Sequence, residues 1–121
     1  MPAATFDFID NHVIEQGVDS SRQFAWKNSA GTPVDLTGYS ARMQLRKSKA
    51  DKTVLLELST ANSKIVLGGT AGTVTVMFSK ADTVGVTWTS GVYDLELTSA
   101  GMQTVRFIEG SFVLSQEVTR D

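Results

Sequence analysis

The sequence predicts an all-β domain: a single antiparallel, immunoglobulin-like β-sandwich of about eight strands with one short helical turn. Thr and Val together make up 27 of 121 residues, and their β-branched side chains suit a pleated sheet better than a helix. Apolar and polar residues alternate with a period of two in several runs, as half-buried strands require. Turn-forming clusters recur roughly every eight to twelve residues, which is typical of sandwiches and small barrels.

The alternation and the turns divide the chain into its expected strands. The N-terminal segment, residues 1–20, is expected to be an arm or an edge strand. The last strand is long, and we expect it to bulge at Gly110, because a glycine inside a strand often marks a bulge. The expected strands lie near residues 5–15, 22–27, 39–47, 53–58, 64–67, 73–78, 92–98 and 103–118.

A helical turn is predicted over residues 79–86, between two of these strands. Ser79 can cap its N-terminus. Asp82, three residues later, completes an imperfect capping box with Asp in place of Glu or Gln. Gly85 would then end the turn.

The motif DLTGY, residues 35–39, predicts a structural corner. Asp35 can accept a hydrogen bond from a nearby backbone amide, and Gly38 supplies the bend. Tyr39 then opens the next strand.

The motif SGVYDLEL, residues 90–97, predicts a second corner. Gly91 stands two residues before Tyr93, at the start of an alternating strand. In immunoglobulin-like sandwiches, a tyrosine at this kind of position bonds the backbone through its hydroxyl and pins a corner between the sheets. We expect Tyr93 to do the same.

The composition fits one ordinary globular domain over residues 1–121. Apolar residues make up 41% and charged residues 20% of the chain, and the formal net charge is -2. No general attraction to nucleic acid or to a membrane surface is therefore expected. No apolar run is long enough to span a membrane, and the N-terminus lacks a secretory signal. We expect a protein that is made in a cytoplasm, with neither nucleic acid nor membrane as a partner.

The sequence offers no catalytic or metal-binding constellation, so we expect no enzymatic activity, no cofactor and no metal. The chain has no cysteine and a single histidine, His12, which excludes thiol chemistry and any site with two His ligands. Asp94 and Glu96 share a strand face at a spacing that glycosidase carboxylates use, but solvent-facing strands often carry such pairs. The glycine-rich run at residues 68–73 lacks the Lys-Ser/Thr pair of a phosphate loop.

The charge is unevenly distributed along the chain. Five of the eleven cationic residues fall between positions 42 and 52, and four acids precede the first cation, Arg22. We predict that a basic tip and an acidic arm contact partner proteins, and that such contacts allow a homo-oligomer to form. The predicted partner-binding residues are Arg46, Lys47, Lys49 and Lys52 in the tip, and Asp7 and Asp10 in the arm.

The order of the motifs resembles small virion proteins of tailed bacteriophages. The resembling segments include RQFAW, GTPVDLTGYSARMQLR, TVTVMFS, SGVYDLEL and RFIEGSFVLSQEVTR. The resemblance covers roughly residues 20–120 and is sharpest at residues 33–46, 93–97 and 110–120. In that group, such domains occur among tail, baseplate and tail-fibre proteins, including the N-terminal domains of baseplate upper proteins.

The resemblance implies a β-sandwich in the virion that docks into a multiprotein tail assembly and has no catalytic residue. Its partners would be other virion proteins, and the chain would be made in the host cytoplasm. A baseplate upper protein continues into receptor-binding modules, whereas this sequence stops at Asp121. We therefore expect a stand-alone connector or accessory protein.

Two other functions stay open from the sequence. The first is a carbohydrate-binding or host-adhesion module, with Trp88 or Tyr39 as a surface on which a sugar stacks; the structural alternative for Trp88 is a plug over the open end of the core. The second is a head-decoration protein, which the sequence does not separate from a tail protein. No small-molecule ligand is expected.

Overall fold

The computed structural model describes residues 4–9 and 12–116, and its strands form two packed sheets. Nine strands lie in this part of the chain, with one α-helical turn, α1 (Lys80–Thr83), and a 3-10 turn at Gly69–Ala71. The strands are β1 (Ala4–Thr5), β2 (Ile14–Glu15), β3 (Ser20–Ala25), β4 (Ser40–Arg46), β5 (Leu56–Ser59), β6 (Ile65–Leu67), β7 (Thr73–Phe78), β8 (Ser90–Thr98) and β9 (Thr104–Ser115).

The strand order is that of an immunoglobulin-like sandwich. The larger sheet has the order β1-β9-β8-β4-β5, with β2 also on β9, and the smaller sheet has the order β3-β7-β6. After β3 the chain crosses between the sheets in pairs of strands, with β4 and β5 in the larger sheet, β6 and β7 in the smaller, and β8 and β9 in the larger again. The predicted fold class, an all-β immunoglobulin-like sandwich, is confirmed. One detail differs: β1 and β2 run parallel to β9, while the other strand pairs are antiparallel.

The core is built by alternate residues of the central strands, as the period of two predicts. These side chains point between the sheets and pack against one another. The most deeply buried among them are Met43, Leu45, Leu58, Ile65, Val74, Val76, Leu95, Leu97 and Phe112.

The predicted strand at residues 5–15 is two short strands with an interruption between them. The pairing advances from Phe8 to Ile14 along this segment, while β9 advances only from Phe112 to Leu114. The chain therefore has four more residues between these two pairs than β9 has. Phe8 and Ile14 nevertheless both reach the core, so this segment, which we call the arm (residues 4–9 and 12–19), is an integral edge of the larger sheet.

The bulge in β9 lies at Phe107, and the prediction that placed it at Gly110 is wrong. The register passes from Leu95 opposite Ile108 to Glu96 opposite Arg106, which leaves Phe107 without a partner. Phe107 and Ile108 can then both face the core, because the extra residue offsets the alternation.

The predicted helical turn is confirmed as α1. The amide of Ser79 donates to Oδ2 of Asp82 at 2.8 Å, and the amide of Asp82 bonds the side chain of Ser79 in return. The amide of Val84 closes the turn on the carbonyl oxygen of Lys80, and Gly85 follows with φ +77°.

Candidate docking surface

A charged groove runs over the outer face of the larger sheet. Its floor consists of side chains that alternate outward from β4, β8 and β9, and the β4–β5 loop forms a wall. Its volume is about 580 Å³. The charged residues that line it are Arg42, Arg46, Lys49, Asp51, Lys52, Asp94, Glu96, Arg106 and Glu109.

The strand register arranges the floor of the charged groove in rows of charge. Glu96 lies between Arg42 and Arg106, whereas Asp94 lies directly opposite Glu109. Like charges at opposed positions destabilise a strand pair. Arg106 offsets this repulsion, because its guanidinium lies 3.4 Å from Asp94 Oδ2 and 3.7 Å from Glu109 Oε1. The Asp94–Glu96 pair is therefore part of a compensated charge network.

Glu57 extends this network toward β5. It accepts hydrogen bonds from Gln44 Nε2 at 2.7 Å and from Arg42 Nε at 2.9 Å. Both bonds lower the pKa of Glu57 below its ordinary value, and the bond from Gln44 has the larger effect. Arg42 still has 62% of its side chain exposed, so it remains accessible to a partner.

One of the four residues of the predicted basic tip, Arg46, folds back on its own chain. The half-buried Arg46 donates to the carbonyl oxygen of Asp51 and to Oε1 of Gln44, both at 2.7 Å. These bonds hold the β4–β5 loop against the sheet and leave Arg46 half-buried in the lining of the groove.

The lysines of the tip divide into two groups. Lys49 reaches across the charged groove to within 3.6 Å of Glu109 Oε1, although 81% of its side chain stays exposed. Lys47 and Lys52 are exposed and form no ion pair within the described residues. Lys47, Lys49 and Lys52 are thus the members of the predicted set that face solvent.

Within the acidic arm, Asp7 is hydrogen-bonded to β9. Its Oδ1 accepts hydrogen bonds from the amide of Ser111 at 2.9 Å and from the hydroxyl of the same residue at 3.2 Å. Asp7 therefore completes the pairing of the arm with β9, and this carboxylate oxygen is engaged within the fold. Asp10, the other predicted arm residue, lies outside the described residues.

Tyr93 pins the arm to the sandwich. Its hydroxyl donates to the carbonyl oxygen of Phe6, across 87 residues of sequence. Gly110 stands opposite Tyr93 in the ladder, and a Cβ there would lie 2.1 Å from that same oxygen. Burial, with the nearby Asp7 carboxylate, raises the pKa of Tyr93 far above its ordinary value. The predicted corner is thus a long-range attachment.

The DLTGY turn has the predicted local bonds. Asp35 Oδ1 accepts hydrogen bonds from the amide of Thr37 at 2.9 Å and from the hydroxyl of Thr37 at 2.6 Å. Both bonds lower the pKa of Asp35, and the hydroxyl bond has the larger effect. Gly38 has φ +82°. The amide of Tyr39 donates to the carbonyl oxygen of Leu36 at 3.0 Å, so the turn is closed before β4 begins.

Trp88 and Gly91 both lie against Phe112. Trp88 meets the ring of Phe112 edge-on, with 5.6 Å between centroids, and is partly buried against the core. A Cβ on Gly91 would lie 2.1 Å from the carbonyl oxygen of Arg46 and 2.8 Å from the ring of Phe112. Gly91 therefore allows β4 and β9 to approach β8 closely, and Trp88 occupies the position of a plug.

His12 is an exposed residue of the arm. Its Nδ1 is 3.4 Å from Nη1 of Arg22, and its ring centroid is 5.3 Å from that of Phe6. Within the described part of the chain, no group of three or more His, Cys, Asp or Glu residues could hold a metal ion. None of the helices described there has the length and apolar character needed to cross a membrane.

Sequence reasoning missed Asn62, which covers the outer edge of β5. Its side-chain oxygen accepts the amide of Ser59 at 2.9 Å, and its nitrogen donates to the carbonyl oxygen of Glu57 at 3.0 Å. The amide side chain thus occupies the two backbone groups that a further strand would bind. The sequence showed Asn62 only as one residue of the turn at residues 60–64.

Comparisons with known proteins add no family. No family model matches the chain, and no curated protein matches it. Among solved structures, Drosophila OTK, extracellular domains 3-5, is similar with 16% sequence identity and a TM-score of 0.34. The match covers 95% of this chain and 32% of that one, so this chain spans about a third of the length of that structure.

Proposed function

We propose that the protein is a non-enzymatic structural component of a tailed bacteriophage virion, a connector that docks neighbouring tail or baseplate proteins. The main support for the proposal is where the motifs that resemble virion proteins lie in the fold: their residues make structural contacts. Asp35, Gly91, Tyr93 and Gly110 all hold backbone segments together, and a set of shared scaffold residues fits a domain selected for shape and contacts.

The charged groove and the lysines beside it are the surface that we assign to docking. Arg42, Lys49 and Glu96 offer charges of both signs along the groove. Lys52, which also lines it, and Lys47, next to Arg46 in the β4–β5 loop, add two cations that form no ion pair within the described residues. Such a surface favours a protein partner with complementary charges, because charge patterns specify partner and register. Among the residues that line the groove, no exposed aromatic side chain provides a platform for a sugar.

The carbohydrate-binding alternative has less support. It needs an accessible aromatic face, and Trp88 is turned edge-on to Phe112 and partly buried. A fluorescence titration of Trp88 with host polysaccharides tests it directly. A saturable response that disappears in Trp88→Ala would favour the adhesion function over the connector.

Location in the particle tests the proposal most directly. Purified phage particles would be separated into tails and capsids and probed with an antibody against this chain. We expect the protein in the tail fraction. Its absence from particles would contradict the virion assignment, and its presence on capsids alone would favour a head-decoration protein.

The docking surface is tested by complementing a phage that lacks the gene. The double variant Lys47→Glu/Lys52→Glu should reduce incorporation into tails and leave the fold intact, because both side chains are exposed. Lys80→Glu is the control for a single such replacement, since it makes half of this charge change at an exposed position on α1, outside the groove. Equal incorporation of all three proteins would exclude the groove rim as the contact.

A further inference from the structure

The edges of the two sheets are protected unequally. One edge of the larger sheet is the arm, whose strands β1 and β2 have two residues each, and the other edge is β5, where the side chain of Asn62 bonds two backbone groups. In the smaller sheet, β6 has only three residues, which itself limits pairing. β3 has six residues with no proline or bulge. It is the long edge that the described residues leave open.

The backbone groups on this open edge can be identified from the ladder. The amide of Trp26 donates to the carbonyl oxygen of Gly72, on the β7 side. Antiparallel ladders alternate bonded and non-bonded pairs, so the N–H and C=O groups of Ser21, Gln23 and Ala25 point away from β7. All three residues are exposed, and their peptide groups are therefore available to another strand.

The sequence of this edge is complementary to itself about Gln23. In an antiparallel pair of two such strands, Gln23 meets Gln23 of the second copy, and Ser21 meets Ala25. One step further out, Asp19 stands opposite Lys27. Both are exposed, so a two-fold axis at Gln23 makes two pairs of opposite charge and places no like charges in opposition.

We propose that two copies of the chain associate through β3, antiparallel about a two-fold axis at Gln23. The two smaller sheets then form one continuous sheet of six strands, with the order β6-β7-β3 followed by its mirror sequence β3-β7-β6. The interface is isologous, as in most two-fold dimers, and its main bonds are those of strand addition. This inference goes beyond the proposed function and concerns the isolated chain.

The backbone contact is tested by Gln23→Pro. The lost N–H of residue 23 points away from β7, so proline removes two bonds from the dimer and none from the β3–β7 ladder. Gln23→Thr is the matched control, because it also loses the side-chain bond to Thr75 at 3.2 Å but keeps the N–H. Sedimentation equilibrium should show dimers for the natural chain and for Gln23→Thr. For Gln23→Pro, the association should be weaker than that of the natural chain by roughly tenfold or more.

The register is tested by exchanging charges. Lys27→Asp places like charges opposite each other and should weaken the dimer, and adding Asp19→Lys in the same chain should restore it. Asp19 Oδ1 also accepts the amide of Lys80 at 2.7 Å, so thermal unfolding is measured in parallel to separate loss of fold from loss of pairing. Rescue by the double exchange would not arise from a purely structural role of either residue.

Two results would overturn the proposal. One is a natural chain that stays monomeric at millimolar concentration. If Gln23→Pro nevertheless abolished binding to a different tail protein, a strand of that protein would be the occupant of this edge. The other is a dimer that forms equally well with Gln23→Pro and Gln23→Thr, which would move the interface to another surface.

Discussion

Gly110 and Tyr93 work as one unit at the scale of single residues. The inner face of β9 lacks a side chain at Gly110, and the carbonyl of Phe6 turns into that space to meet the Tyr93 hydroxyl. The amide of Ser111, which this carbonyl leaves free, bonds Asp7 instead. A missing side chain and three polar contacts thus fix the arm, and each part depends on the others.

Replacing Tyr93 with Phe should loosen the arm. The variant leaves the buried carbonyl of Phe6 without its donor, which costs about 1–3 kcal/mol. Hydrogen exchange at the amides of Phe6 and Phe8, which donate to β9, should accelerate more than exchange in β7. Tyr39→Phe is the control, because the hydroxyl of Tyr39 makes no hydrogen bond within the described chain. Unchanged arm exchange in Tyr93→Phe would contradict this account.

Replacing Gly110 with Ala should be more damaging. The new Cβ would stand 2.1 Å from Phe6 O and 2.8 Å from Asp7 Oδ1, so the arm must move away from β9. Overpacking of this kind costs about 1–3 kcal/mol, and urea denaturation measures the loss. Gly101→Ala is the matched control, since the nearest atom to its Cβ lies at 3.8 Å. Equal stability of the two variants would show that the close approach is not required.

At the scale of elements, α1 joins two parts of the molecule that are distant from each other in sequence. The Asp82 carboxylate bonds Lys64 Nζ at 2.7 Å, next to β6. The amide of Gly17 in the arm donates to Oγ1 of Thr83 at 2.8 Å, and Lys80 donates its amide to Asp19. One helical turn therefore ties the arm to the end of the smaller sheet.

Replacing Asp82 with Asn should destabilise the protein at neutral pH and much less in acid. Burial raises the pKa of Asp82, but the bonds from Lys64 and Ser79 outweigh it, and the net shift is downward. A carboxyl whose pKa is lower in the folded state stabilises the fold at pH values above its pKa in the unfolded state, which is about 4. That stabilisation is lost as the pH falls through the pKa of the folded state. The expected loss at pH 7 is about 1–3 kcal/mol.

Urea denaturation at pH 7 and near pH 3 measures this pH dependence. Lys64→Met is the companion variant, because it removes the partner while keeping the carboxylate, and it should flatten the acid dependence in part. A stability difference between Asp82→Asn and the natural chain that is the same at both pH values would count against the ion pair.

The sequence could predict local devices but not long-range ones. The capping box of Ser79 and Asp82 and the turn at Asp35 involve residues within three positions, so their partners were visible in the motif. Tyr93 bonds a carbonyl 87 residues away, and only the fold brings the two together. Arg46 bonds the carbonyl oxygen of Asp51, five residues on. This contact depends on how the β4–β5 loop folds back, and no motif in the sequence indicates that path.

At the scale of the whole molecule, the two sheets are joined by packing and not by a disulfide. The chain has no cysteine, so the disulfide that joins the sheets in antibody domains has no counterpart, and the buried apolar residues between the sheets carry that task. The alternation predicted most of these residues correctly, because burial of one strand face leaves a strict period in the sequence. The parallel pairing of the arm left no such trace.

The global stability should decline at high pH because of Tyr93. Its pKa is raised in the folded state by burial and by Asp7, so its contribution is complete below the unfolded value of about 10 and is lost as the pH rises above it. Thermal unfolding from pH 8 to pH 11 should show this decline, and Tyr93→Phe should show a smaller one. Parallel curves for the two proteins would indicate that other groups cause the alkaline loss.

The parallel course of the arm along β9 has a mechanical consequence. The two strands start near Ala4 and Ile108 and end near Glu15 and Ser115, so a force that pulls the two ends of the domain apart slides one strand along the other. The interstrand bonds and the Tyr93 hydrogen bond are then loaded together in shear. They do not break one after another, as they would if the strands were peeled apart. A domain connected in this way resists tension along its length more strongly than its equilibrium stability alone would indicate.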